Sequence, residues 1–169
     1  MKPDIKIIEQ FYNNSNELFE ELISTVVWDE RMKSRKTASF GVSYDYSGID
    51  YPQTDIPSSI KYICEKIEQV LGFLPNNCLM NYYPNGDSTM GFHSDSSEEL
   101  LDDTGVAILS LGSDRHIWYR SKQIKLSYLL RSGALLYMDD NVQQDWTHAI
   151  LKEADIGARI SLTFRHIIK

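Results

Sequence analysis

The stretch "RHIWYRSKQIKLSYLLRSGALLYM", residues 115 to 138, contains three short runs rich in Ile, Leu, Tyr and Val, with turn residues such as "RSG" between them. Short apolar and aromatic runs bounded by turn signals read as β-strands. Working outward, the same texture begins at residue 78 with "CLMNYY" and "GVAILSLG" and continues through "DWTHAIL" to "ARISLTFR". The turn signals "YPNGDS" and "GSDR" fall between these runs, and no shift of composition marks a linker. Strands at this spacing belong to a β-sandwich or barrel.

Upstream of residue 78 the period is helical. In "NNSNELFEELISTVV", Asn14 followed by Glu17 has the pattern of a capping box, and Leu18, Phe19, Leu22, Ile23 and Val26 recur at helical spacing. In "DIPSSIKYICEKIEQVLG", Pro57 suits a first turn and Gly72 can close the end. Between them Ile60, Ile63, Cys64, Ile67, Val70 and Leu71 form one stripe. Helices followed by strands predict an α+β, mainly β fold: a double-stranded β-helix (jelly-roll) core with N-terminal helices packed on one sheet. A length of 169 residues suits a single domain, 1–169, with helices and a substrate-lid region over about 1–77 and the jelly-roll core over about 78–169.

Composition narrows the function. A net charge of −7 provides no general field toward nucleic acid or anionic lipid, so a polyanionic partner must be held locally. Cys64 and Cys78 lack CxxC spacing, and "MKPDIKIIEQ" is charged and alternating rather than a secretory leader. With no apolar run long enough for a membrane span, the expectation is a monomeric cytoplasmic protein without a membrane partner.

Two features carry chemistry. In "GFHSDSSEEL", His93 and Asp95 stand two apart, so a strand would turn both to one side, and His148 lies on another predicted strand. Two imidazoles and a carboxylate leave positions open on non-haem Fe(II), although zinc hydrolysis can use similar ligands. In "ARISLTFR", a strand places Arg159, Ser161, Thr163 and Arg165 on one face and Ile160, Leu162 and Phe164 on the other. Two guanidiniums on one face call for an anion between them, and a small dicarboxylate fits their fork geometry. The alternative is a solvated edge face. His116 and His166 are expected to be no part of the metal site.

The set "NYY" at 81 to 83, "HSD" at 93 to 95, "SLGSDRHIWYR" at 110 to 120, "YMDDNVQQDWTH" at 137 to 148 and "RISLTFR" at 159 to 165 resembles the AlkB family of Fe(II)- and 2-oxoglutarate-dependent dioxygenases. The resemblance extends over residues 36 to 166. It implies His93, Asp95 and His148 as the catalytic iron ligands, with 2-oxoglutarate held by Asn81, Tyr83, Arg159, Ser161 and Arg165. It also implies Fe(II), 2-oxoglutarate and O2 as the cofactor set. A C–H bond would be hydroxylated with release of succinate, and an N-methyl target would then lose formaldehyde. The expected function is oxidative demethylation of N-alkylated bases in single-stranded DNA or RNA; the alternative is hydroxylation of a small metabolite or a protein side chain on the same core.

The "RKTASFG" and "YDYSG" segments resemble the substrate side of repair-type members, and Phe40, Tyr44 and Tyr46 are the candidate base-stacking aromatics there, with Ser97 near the base; the alternative is that these aromatics pack on a strand under the lid. "RMKSRK" at 31 to 36 offers four cations for phosphates, or an ordinary solvated loop. Met138 and Trp146 are expected in the core behind the third ligand. The chain departs from the family pattern at Ser161, where Asn is common, at Ser97, where an acidic residue stands in the bacterial prototype, and at Asp140, where Gly is frequent. It also lacks the Pro often found after the third histidine.

Overall fold

A computed structural model describes residues 1–46, 48–122 and 124–168. Eight strands form the expected core: β5 (Asn77–Tyr83), β6 (Met90–His93), β7 (Val106–Gly112), β8 (Arg115–Arg120), β9 (Lys125–Leu130), β10 (Leu135–Met138), β11 (Thr147–Ile150) and β12 (Arg159–Arg165). They divide between two facing sheets, ordered β10-β7-β12-β5 in one and β6-β11-β8-β9 in the other, which is jelly-roll topology. The first sheet is widened by β1 (Ile5–Ile8) beside β10 and by β2 (Lys36–Gly41) beside β5. A separate pair, β3 (Tyr44–Tyr46) and β4 (Ile49–Tyr51), follows β2.

Both helices form where the periodicity predicts, α1 over Ser15–Thr25 and α2 over Ser58–Leu71. The start of α1 differs from expectation, whereas the end of α2 does not. Asn14 makes no side-chain cap bond, so the capping box does not close; Leu18 N–H instead donates to the Asn14 carbonyl. Gly72 ends α2 in the left-handed region, φ 85°, with its N–H on the Glu68 carbonyl, a conformation available to glycine at little steric cost. Ile60, Ile63, Cys64 and Ile67 are buried as the stripe requires, whereas Val70 points to solvent.

The helices cover the outer face of the six-stranded sheet, where Leu18, Leu22, Ile60, Ile63 and Ile67 pack on Met80, Leu109, Ile160, Leu162 and Phe164. Because side chains alternate along a strand, the opposite faces of these strands point between the two sheets. There a second cluster gathers Tyr83, Ile108, Leu136 and Met138 against Ile117, Tyr119, Leu130 and Ile150. β12 is thus a central strand buried on both faces, from Arg159 through Arg165, not a solvated edge. Gly112, φ 91°, sits beside Arg159 in the ladder, and a Cβ there would lie 2.5 Å from the Ala158 carbonyl oxygen and 2.6 Å from the Phe19 ring. Its bare Cα lets α1 approach the sheet where β12 begins.

Candidate metal and co-substrate site

β6 and β11 are neighbours, and their ladder sets His93 directly opposite His148. Asp95 lies beyond the end of β6, so its direction is not set by strand alternation with His93. It is held instead by Gln143, whose Oε1 accepts from Asp95 N–H at 2.8 Å and whose Nε2 donates to Asp95 Oδ2 at 3.4 Å. Gln143 comes from a short helix, α3 (Asp140–Asp145), capped by Asp139 accepting from Val142 N–H.

The three side chains converge. His93 Nε2 is 3.7 Å from Asp95 Oδ1, His148 Nε2 is 3.8 Å from Asp95 Oδ2, and one ligand atom from each lies within 4.8 Å of the others. His93 Nδ1 is 2.8 Å from the Gly91 carbonyl oxygen; a proton there leaves the Nε2 lone pair for a metal. Burial lowers His148 to about 4, so its imidazole is neutral near pH 7. Burial alone would raise Asp95, but Arg165, with His148 and His93, holds its carboxyl below the ordinary value. A neutral imidazole and an ionised carboxylate are the forms that ligate a divalent ion. Among the described residues no other group of His, Cys, Asp and Glu converges this way. His116 Nδ1 is engaged by Glu153 at 3.2 Å and His166 Nδ1 by the Leu74 carbonyl at 2.7 Å, both away from the triad.

Behind the triad the β5, β12 and β7 ladders align the polar residues in register. Arg159 pairs with Tyr83 and Ser161 with Asn81 on one side, and Ser161 with Ser110 on the other. Arg159, Ser161, Thr163 and Arg165 are all buried on the face toward the other sheet. Arg165 donates to Asp95 Oδ1 at 3.3 Å, and Arg159 donates to Ser110 Oγ at 2.9 Å while lying 5.4 Å from the Tyr83 ring centroid. Each guanidinium retains two buried nitrogens, Nε and Nη1, without a partner. Buried unpaired donors on fixed cations are costly, and a carboxylate-bearing anion satisfies them. The donor set therefore fits both a divalent metal and a small dicarboxylate beside it.

The mouth is a pocket of about 510 Å³ lined by Tyr44, Tyr46, Met90, His93 and Asp95 among others. Arg35, absent from the sequence-based site, organises this wall. It is buried and donates to Asn81 Oδ1 at 2.8 Å and the Thr89 carbonyl at 3.0 Å, and it bonds the Tyr46 hydroxyl. Burial raises Tyr46 to about 12, against the opposing pull of Arg35, so it remains a phenol. The other cations of "RMKSRK" are mostly committed: Arg31 to Asp29 and Lys36 to Glu30 at 3.2 Å. Phe40 lies elsewhere, against the helix-side core and in a groove of about 560 Å³ beside α1. Ser97 is exposed in a turn, its carbonyl accepting from Leu100 N–H, and does not line the mouth. Met138 and Trp146 pack in the inter-sheet core as expected.

Comparison with known families bears directly on this architecture. Residues 12–165 match the 2OG-Fe(II) oxygenase superfamily. The chain therefore belongs to that superfamily and is a dioxygenase of the class that uses Fe(II), 2-oxoglutarate and O2. Within it the chain is similar to AlkB-type proteins. It is 28% identical over 155 residues to an uncharacterized protein of Acanthamoeba polyphaga mimivirus, covering 87% of this chain and 81% of that one. It is 28% identical over 149 residues to the human DNA oxidative demethylase ALKBH2, covering 79% of this chain and 57% of that one. With human alpha-ketoglutarate-dependent dioxygenase alkB homolog 3 it shares 29% over 175 residues, 89% of this chain and 60% of that one. It thus spans well under two thirds of the length of either human protein. The solved structure of OsALKBH1 superposes with a TM-score of 0.72 at 16% identity, over 98% of this chain and 99% of that one, which shows the shared fold. No helix among the described residues is long and apolar enough to cross a membrane.

Proposed function

We propose that His93, Asp95 and His148 hold Fe(II), that Asn81, Tyr83, Arg159, Ser161 and Arg165 hold 2-oxoglutarate, and that the enzyme oxidatively demethylates N-alkylated bases in single-stranded DNA or RNA. The observation that carries this reading is the continuity of three zones: buried arginines with free donors, the triad in front of them, and an aromatic-walled mouth in front of the triad. Fe(II) with 2-oxoglutarate, when bound, supplies the oxidation of a C–H bond by O2.

The chain's own residues do the rest. Arg159 and Arg165 anchor the dicarboxylate by charge-assisted hydrogen bonds, and Arg165 also keeps Asp95 ionised. Gln143 fixes the carboxylate of Asp95 and Gly91 the tautomer of His93, so the ligands are oriented before metal arrives. Tyr44 and Tyr46, with ring centroids 6.3 Å apart and planes 23° apart, present aromatic surface at the mouth, where a flipped or unpaired base can stack. Arg35 ties that wall to Asn81. The AlkB-like relatives whose names state DNA oxidative demethylation support a nucleic-acid substrate.

A small-metabolite or protein hydroxylase is the second reading. It is favoured by the net charge of −7 and by the internal pairing of cations near the mouth. The test is succinate and formaldehyde release with single-stranded oligonucleotides carrying N-methylated bases, against unmodified oligonucleotides and free methylated nucleosides. Stimulation by the methylated oligonucleotides with matching formaldehyde supports demethylation. Equal succinate release with all three overturns it.

A further inference from the structure

The space between the sheets contains one more unpaired polar atom that the arginine pair does not explain. Tyr119 is on β8, its backbone directly opposite His148 in the ladder, and its ring stands 5.8 Å from the His148 ring. On the far side it meets the Tyr128 ring edge-on at 5.9 Å. The side chain is fully buried, at 0% exposure, and its hydroxyl has no hydrogen-bond partner. Tyrosine is usually placed in a core so that its hydroxyl reaches a partner; a phenylalanine would fill the same volume without leaving a polar atom stranded.

The neighbouring unpaired atoms share one character. Among the described residues these are Arg159 Nε and Nη1, Arg165 Nε and Nη1 and the Tyr119 hydroxyl, every one able to donate, whereas Arg115 Nε, also on β8, faces Glu153 Oε1 at 3.8 Å. Among the described residues no unpaired side-chain carbonyl or carboxylate oxygen is found there; the unpaired amide oxygen of Asn77 is at the β2 edge, where its Nδ2 bonds the Phe40 and Val42 carbonyls. Tyr119 is also absent from the lining of the mouth and belongs to the inter-sheet cluster, with its ring beside that of His148. Burial first, then Asp95 and Tyr128, raises its pKa well above the ordinary value, so the hydroxyl keeps its proton.

We infer that Tyr119 is a 2-oxoglutarate-binding residue, its buried phenol donating a hydrogen bond to an oxygen of the dicarboxylate alongside Arg159 and Arg165. This rests on the co-substrate site proposed above, but not on the identity of the primary substrate. A ligand with five acceptor oxygens has the capacity to satisfy donors converging from both sheets, and Tyr119 is the donor contributed by the four-stranded one. The consequence is a sign difference between the two states: the hydroxyl is unfavourable in the empty protein and favourable once the anion is bound.

The test uses the full chain loaded with Mn(II) under anaerobic conditions, titrated with 2-oxoglutarate by calorimetry, together with thermal midpoints of the metal-free and the fully loaded protein. Wild type, Tyr119→Phe and Arg159→Lys are compared. Tyr119→Phe is expected to weaken 2-oxoglutarate binding on the order of 10-fold and to shrink the 2-oxoglutarate-induced rise in midpoint. The metal-free midpoint should be unchanged or higher. Binding within 2-fold of wild type, or a metal-free protein that melts markedly lower, would overturn the assignment. If Arg159→Lys loses affinity while Tyr119→Phe does not, only the Tyr119 inference fails; if neither does, the co-substrate site itself is misplaced.

Discussion

Replacing Arg159 by methionine separates a binding role from a structural one, because in the empty protein this residue is a buried cation without an acidic partner. Its guanidinium makes one hydrogen bond, to Ser110, lies against Tyr83, and leaves Nε and Nη1 unpaired. Burial lowers its pKa from the ordinary value, outweighing the opposing pull of Tyr83. Two unmade buried bonds cost roughly 1–3 kcal/mol each, so Arg159→Met relieves about 2–6 kcal/mol. It forfeits about 1.5–3 kcal/mol from the charged bond to Ser110 and up to about 2 kcal/mol from the ring contact. The net change in the metal-free protein is therefore expected to lie between about 3 kcal/mol of destabilisation and about 4.5 kcal/mol of stabilisation, although a large polar side chain has been removed from the core. Bound 2-oxoglutarate at 100 times its dissociation constant stabilises wild type by about 2.7 kcal/mol. A variant that binds 100-fold more weakly would gain only about 0.4 kcal/mol at that concentration. Urea unfolding with and without 2-oxoglutarate, at fixed Mn(II), measures both quantities. Destabilisation of the metal-free variant by more than about 3 kcal/mol, or an undiminished ligand increment, refutes the reasoning.

Other consequences follow from the same geometry. Gln143→Leu removes both side-chain contacts to Asp95, and metal affinity should fall about 10- to 100-fold with the far-UV spectrum unchanged; calorimetry with Mn(II) checks this. The pH dependence of stability has a definite sign. His148 is lowered from 6.5 to about 4 on folding, so its contribution is fully present above pH 6.5 and is lost as pH falls toward 4, up to about 3 kcal/mol. Asp95, also lowered, acts in the same direction below the ordinary carboxylate range. Urea midpoints of the metal-free protein should fall from pH 7 to pH 5, and His148→Gln should flatten that slope.

How much of this could be read from the sequence depended on how much context each residue needed. The alternation of "RISLTFR" was decisive because two independent demands, an apolar face for the helices and a polar face for an anion, coincide on one strand. Its centrality was not legible, since an arginine-flanked strand looks like an edge until its neighbours are known. The short β1 strand is not legible because "IKII" has too few residues for a period to show. Asp95 was identified correctly as part of the cluster for an incomplete reason: the spacing suggested strand alternation, whereas Gln143 from α3 supplies the constraint. Arg35 was hidden in a run of cations that reads as a solvated loop, and only the packing of β2 against β5 reveals that it reaches Asn81. Phe40 shows that a strand next to the mouth has two faces, for it occupies the helix side while Tyr44 and Tyr46 line the mouth. Tyr119 gave no sign at all, since a buried tyrosine in an aromatic run is ordinary until its hydroxyl is found without a partner.

The central claim is that His93, Asp95, His148 and the arginines behind them form one Fe(II) and 2-oxoglutarate site. Its most direct test is the visible absorption of the anaerobic protein on adding Fe(II) and 2-oxoglutarate, recorded for wild type and His148→Ala under matched conditions. The account predicts a metal-to-co-substrate chelate band in wild type that saturates at one equivalent, and no band in a folded His148→Ala protein. A band of equal intensity and affinity in His148→Ala, or none in wild type, would contradict it.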